Sequence, residues 1–246
     1  MLHYRELPPS PRLAAHIECY WTICQQGPGP LQRVLPDGCA DLLLTQTGSS
    51  AALSAVGPMT RYLDHSVPEG TRLFGVRFRP GRWRRALAVP GERIVDSIVP
   101  LEDLWGSRAG GLRERLAEAG SLEESARAVE AALSTPEGDE PIDRAVAFLV
   151  QAGGCVSMDD LARDAGLSPR QFRRVCLDRT GLTPKFLARV LRFRHAAARV
   201  GRNEVASAVA LDCGYYDQAH LIRDFREFAG RTPGALADRA NSVAAL

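Results

Sequence analysis

The chain has no run of about 18 apolar residues, so a membrane-spanning helix is not expected. Its first residues, MLHYRELPPSPRL, lack the basic start and apolar stretch of a secretory signal, which points to the cytoplasm and to no membrane partner. Cysteine is sparse. The six residues Cys19, Cys24, Cys39, Cys155, Cys176 and Cys213 are scattered without a C-x-x-C pair, a pattern that fits reduced thiols better than a disulfide framework or a metal site. No Ser-His-Asp order, Gly-rich phosphate loop or His-metal motif occurs, and His3, His16 and His65 stand alone. Neither catalysis nor a cofactor is therefore expected. Lysine is almost missing too: Lys185 is the single one.

What is present is arginine, unevenly spread. The 246 residues have room for two modest domains. Residues 1–140 carry 15 Arg against 18 acidic groups, a net of −3. Residues 141–246 carry 15 Arg and Lys185 against 11 acidic groups, a net of +5. A polyanion would bind the second half.

The first 80 residues read as short strands separated by turns. His16–Cys24, Cys39–Thr47 and Thr71–Phe78 are rich in aromatic, β-branched and other apolar residues. Gly27-Pro28-Gly29-Pro30, Pro36-Asp37-Gly38 and Pro68-Glu69-Gly70 punctuate them, as in a small barrel or sandwich. Helical spacing starts after Gly81, with Leu112 and Leu116, then Leu122, Ala126, Val129 and Leu133 on one narrow stripe. Residues 134–140 have the composition of a linker. The expected class is α+β: a small N-terminal β-barrel or sandwich followed by helices (1–133), then an all-α domain (141–240).

Within the second half, two helix-turn-helix patterns follow one another, at 158–179 and 205–229. In the first, Ser157 caps a short helix, Gly166 makes the turn, and Ser168 and Pro169 start a second helix. Phe172 and Val175 share its buried face, which leaves Arg170, Arg173 and Arg174 outward. In the second, Cys213-Gly214 make the turn and Asp217 caps a helix anchored by Leu221, Phe225 and Phe228. Gln218, His220, Ile222 and Arg223 face out. Arginine matches guanine O6 and N7, glutamine matches adenine, and isoleucine suits the thymine methyl. Thr183 and Pro184 begin a long helix between the units; its 17 residues at about 1.5 Å each span roughly 26 Å. Adding the helix radii brings the two units close to the ~34 Å between successive major-groove faces.

These residues also carry a resemblance. LARDAGLSPRQFRRV, TGLTPKFLARVLRFRHAAA and GYYDQAHLIRDFREFAGRTPGAL make the segment Ile142–Ala237 similar to the DNA-binding domain of AraC/XylS-type transcriptional regulators. The resemblance implies a seven-helix domain on promoter or operator double-stranded DNA. Base-reading positions then fall on Arg170, Arg173, Arg174, Gln218, Ala219, His220, Ile222 and Arg223. Cys176, where a core Phe is usual, and Tyr215, where Phe is common, depart from the pattern. LPDGCADLLL, GPMT and FGVRFRPG resemble N-terminal domains fused to such regulators, which implies a small-molecule effector or a homodimer, and RNA polymerase as a partner if the protein activates. No effector residues follow from it.

Several N-terminal features have two readings each. Cys19, Cys24 and Cys39 suit a thiol sensor or plain burial. RFRPGRWRR (Arg77–Arg85) suits an anion grip around Trp83 or a solvated face. Tyr20, Trp21, Tyr62 and Trp105 suit an apolar pocket or ordinary core. The stripe Leu122–Leu133 suits a dimer seam, which the resemblance favours, or packing on its own domain. The alternative function is a Cys alkyl-transfer enzyme of the DNA-repair kind on the same DNA-binding domain, which would need a zinc-activated thiolate.

Overall fold

A computed structural model describes residues 2–27, 29, 31–133 and 138–240. Strands β1 (Leu2–Leu7), β2 (Ile17–Gln25), β4 (Ala40–Thr47), β5 (Ser50–Val56), β7 (Thr71–Phe78) and β8 (Ile98–Pro100) form one antiparallel sheet in the order β1-β2-β7-β4-β5-β8. Two further strands, β3 (Gln32–Val34) and β6 (Leu63–His65), pair among the described residues only with each other. The expected barrel or sandwich thus takes the form of one six-stranded sheet with a separate two-stranded ribbon.

Alternation sets the buried face. Ala40, Leu42 and Leu44 of β4, Leu53 and Ala55 of β5, and Phe74, Val76 and Phe78 of β7 all enter the same core. In β2 a register shift between Ile17 and Cys19 places Ile17 and Tyr20, three apart, on that face. Helices α1 (Trp83–Leu87), α2 (Glu102–Trp105), α3 (Ser107–Glu118) and α4 (Leu122–Ala132) follow, and α3 and α4 pack on the sheet. Leu112, Leu116, Leu122, Ala126, Val129 and Leu133 are all buried in the sheet core. The expected dimer seam is therefore corrected: the narrow stripe faces its own chain, and the Tyr20 hydroxyl donates to Glu130 of α4 at 3.1 Å.

The aromatic pocket does not assemble. Tyr20 is core, Trp105 donates its indole N–H to the Leu87 carbonyl, and Tyr62 lies under Arg33. Trp21 lies on the sheet's opposite face across Gly75, where a Cβ would come within 2.0 Å of the indole, so only glycine fits there.

The anion grip is corrected as well, because the arginines of Arg77–Arg85 are already engaged. Arg77 sits 3.5 Å from Asp41 and 3.7 Å from Asp37, and Arg79 donates to the Ala14 carbonyl. Arg82 meets Asp139 at 2.5 Å, Arg84 meets Asp178 at 2.9 Å and Arg85 meets Glu140 at 2.5 Å. Trp83 is fully buried rather than offered to a ligand. These pairs brace the sheet region against the helices beyond residue 138. Of the expected linker 134–140, residues 134–137 lie outside the described residues.

The remaining helices are α5 (Pro141–Gln151), α6 (Met158–Asp164), α7 (Pro169–Thr180), α8 (Pro184–Val200), α9 (Ala206–Asp212), α10 (Gln218–Ala229) and α11 (Pro233–Ala240). They build two cores that share α8. Leu187, Ala188 and Leu191 join the core of α5, α6 and α7. Val190, Phe193, Ala196 and Val200 join that of α9 and α10. A single rigid helix thus carries both units on different faces. No helix among the described residues is long and apolar enough to cross a membrane.

Candidate nucleic-acid interface

Local signals in the chain set each element of the two units. The Ser157 hydroxyl accepts from the Asp160 amide at the start of α6. At α7, Ser168 and Gln171 form a reciprocal capping box, with Pro169 at the first position. Between them Gly166 has φ +68°, a left-handed conformation that side chains resist. In the second unit, Asp217 accepts from the His220 amide at 2.7 Å and starts α10. Gly230, in the left-handed region, ends it. Helix α9 differs: its N-cap is Val205, which supplies no side-chain bond.

Packing decides which side chains remain outward. Phe172 and Cys176 of α7 are buried, and Val175 is half-buried against the same core. The opposite face exposes Arg170, Arg173 and Arg174. In α10, Leu221, Phe225 and Phe228 are buried, with Phe193 of α8 5.1 Å from the Phe225 ring and 5.3 Å from that of Phe228. Gln218, Ala219 and Arg223 are exposed, whereas His220 and Ile222 are half-buried. The His220 ring stands edge-on to Tyr215 at 5.1 Å, so part of it belongs to the turn rather than to solvent. Tyr215 is buried, so the core keeps an aromatic ring there, and Cys176 closes its own site near Thr180 and the Leu182 carbonyl.

The cations divide into two groups. Arg189 is paired with Asp224 at 2.7 Å and Glu227 at 2.6 Å, Arg194 with Glu18 at 2.9 Å, and Arg199 with Glu204 and Asp212. Arg179, near the end of α7, pairs with Glu140. Among the described residues, Arg170, Arg173, Arg174 and Arg223 have no protein carboxylate or hydrogen-bond acceptor. The outward faces of α7 and α10 thus carry unpaired charge, as do the exposed Lys185, Arg202 and Arg226, whereas the arginines at the helix contacts are neutralised. The first turns of these two 12-residue helices add a positive dipole end, although Pro169 has no N–H and the Gln171 and His220 amides are taken by the caps.

Sequence reasoning missed Tyr216, 89 % exposed beside the cap of α10. Its signal was the tandem Tyr215-Tyr216, of which only one ring can enter the core.

Cys19, Cys39 and Cys176 are poorly placed for chemistry. Burial pushes Cys19 and Cys176 up to about 12, and it raises Cys39 well above the usual thiol range. Such groups stay protonated and weakly nucleophilic at neutral pH. Among the described residues, no cluster of three or more His, Cys, Asp or Glu is placed to hold a metal ion.

Residues 5–100 match a family described as a domain of unknown function (DUF6597), and residues 161–239 match a family described as a helix-turn-helix domain. No curated protein matches. Among solved structures, the chain is similar to the DNA-binding domain of AdpA, a global transcriptional factor in complex with a target DNA. The identity is 24%, over 42% of this chain and 96% of that one, with a TM-score of 0.40. It is similar to an AraC-type transcriptional regulator from Chromobacterium violaceum at 23% identity, over 40% and 90% of the two chains, TM-score 0.38. Along nearly its whole length it is similar to ToxT from Vibrio cholerae O395 at 11% identity, over 99% and 98%, TM-score 0.43. The family match and the paired units carry the assignment: residues 161–239 of this chain form a helix-turn-helix domain.

Proposed function

We propose that residues 141–240 form the DNA-binding domain and that α7 and α10 enter successive major-groove faces of one duplex. Arg170, Arg173, Arg174, Gln218, Ala219, His220, Ile222 and Arg223 are the groups offered to it, with Tyr216 beside them. The observation that carries this reading is that the outward faces of both α7 and α10 present exposed, unpaired arginines, Arg170, Arg173 and Arg174 on the one and Arg223 on the other. Selection from a random duplex pool tests it. The full chain should enrich a bipartite site of roughly 15–20 base pairs, bound less tightly as salt rises. Enrichment of no common sequence would remove it.

Residues 1–133 are proposed as the regulatory domain, taking a small-molecule effector, with residues 134–140 as the link. We carry cytoplasmic action, a homodimer and activation through RNA polymerase as extensions of this reading. A dimer must use a surface other than the apolar stripe of α4, which its own sheet covers. Sedimentation as a monomer at micromolar concentration, with and without DNA, would remove the dimer. Unchanged transcription in vitro on adding the protein to a promoter that bears the selected site would remove the activator role.

A further inference from the structure

The N-terminal sheet region touches both units, and it touches each at the C-terminal end of its outward-facing helix. At α7 the contact is backbone on backbone. A Cβ on Gly91 would lie 2.4 Å from the Gly181 nitrogen and 2.7 Å from the carbonyl oxygens of Leu177 and Asp178. Val95 packs on the core of this unit, and the adjacent Ile94 is buried in the sheet core. This contact point is therefore continuous with the body of the N-terminal region.

At α10 the contact is built differently. Arg33 of β3 donates to the carbonyl oxygen of Ala229, the last residue of α10, at 2.9 Å. The same guanidinium binds both carboxylate oxygens of Asp64 on β6, each at 2.6 Å, and stacks on Tyr62 at 3.9 Å. The Tyr62 ring fills the space beside Gly230, where a Cβ would approach it to 2.6 Å. Leu35, just after β3, packs on the core of this second unit. A cation on the last carbonyls of a helix also opposes the negative end of its dipole. The ribbon holding Arg33 has three residues per strand and, among the described residues, pairs with no other strand, so the sheet itself does not fix it.

We propose that Arg33 is a positioning residue for the second recognition helix, and that the N-terminal region is a calliper with one fixed jaw on α7 and one adjustable jaw on α10. The separation of the two helices, and hence the half-site spacing the protein accepts, is set partly by the ribbon. An effector that shifts β3 and β6 would then change DNA affinity without approaching the DNA. This inference rests on the DNA-binding reading above and deepens it.

The test uses the full chain and the duplex it selects, with base pairs inserted or removed one at a time between the half-sites. A second duplex with one half-site scrambled reports single-unit binding. The wild-type chain should lose about 10-fold per displaced base pair, the equivalent of one lost bidentate base contact. Arg33→Ala should keep its half-site affinity but lose only about 3-fold per step, with a flattened spacing optimum. Asp64→Asn should fall between them, and Arg33→Lys, which can still donate to Ala229, should restore a sharp optimum. Loss of half-site binding in Arg33→Ala, or a wild-type spacing profile in both Arg33→Ala and Asp64→Asn, overturns the proposal. Failure of the wild-type chain to select any duplex would instead overturn the DNA-binding reading itself.

Discussion

The two helix-turn-helix units share one plan and one supporting helix, yet they are stabilised and charged differently. The first is closed by two local devices, a serine cap on α6 and a reciprocal capping box on α7, and by one distant one, a bare backbone contact to the sheet region. Its outward face is arginine-rich. The second has an uncapped α9 and depends on a cluster of three aromatic rings, Phe193, Phe225 and Phe228. Its outward face mixes amide, imidazole, aliphatic and guanidinium groups. A unit of arginines suits grip and guanine contacts, whereas a mixed face suits discrimination between bases. Duplication of a motif has thus left the scaffold alike and the chemistry divided.

The largest expected difference lies in the cores. Phe225→Ala removes a ring from a packed aromatic cluster and should cost about 4–5 kcal/mol, against about 3 kcal/mol for Phe172→Ala, a buried ring outside that cluster. Urea unfolding of the full chain measures both, and equal losses would erase the contrast. On DNA, Arg174→Ala and Arg223→Ala should each cost about 1–3 kcal/mol at the selected site. Gln218→Ala should relax base preference at one position without altering the salt slope, while Arg173→Ala should lower that slope by about one unit. If the glutamine change moved the slope and the arginine change did not, the assigned division of labour would be reversed. Capping comes next. Ser168→Ala should destabilise by about 1 kcal/mol, whereas Val205→Asp should stabilise the second unit by a similar amount. A neutral Val205→Asp in thermal melts would mean that the start of α9 is already satisfied.

The smallest effect is on pH. The guanidinium of Arg82 holds Asp139 below the usual carboxylate range, and those of Arg179 and Arg85 hold Glu140 there. Because the folded values are depressed, the stabilisation is present above ordinary carboxylate values of about 4 and is lost as pH falls through the lowered ones. Both carboxylates are partly exposed, so solvent screening keeps the effect modest. A double variant, Asp139→Asn with Glu140→Gln, should show a flatter melting profile between pH 7 and 3 than the wild-type chain. Identical profiles would show that the brace adds nothing measurable.

How much of this was legible depended on whether the signal was local. The starts of α7, α8 and α10 followed from Ser168-Pro169, Thr183-Pro184 and Asp217, since caps act within a turn of the residue that supplies them. Strands β2, β4 and β7 were readable from alternation and aromatic content. Strand β5, SAALSAV, escaped because small residues carry little strand preference, and β3, β6 and β8 are only three residues long. The spacing of Leu122, Ala126, Val129 and Leu133 announced a buried stripe but could not name what buries it. Arg82 and Arg85 find their carboxylates more than fifty positions away, so their pattern read as an open cationic patch. Nothing in the sequence near Arg33 marked it for the end of a helix nearly two hundred residues downstream.

The shared helix α8 has an evolutionary corollary. Inserting one residue into it would swing everything beyond through about 100° and advance it about 1.5 Å, tearing one core away from the other. A length change there would break the fold, so a different spacing of α7 and α10 is open only to changes in side chains and docking contacts.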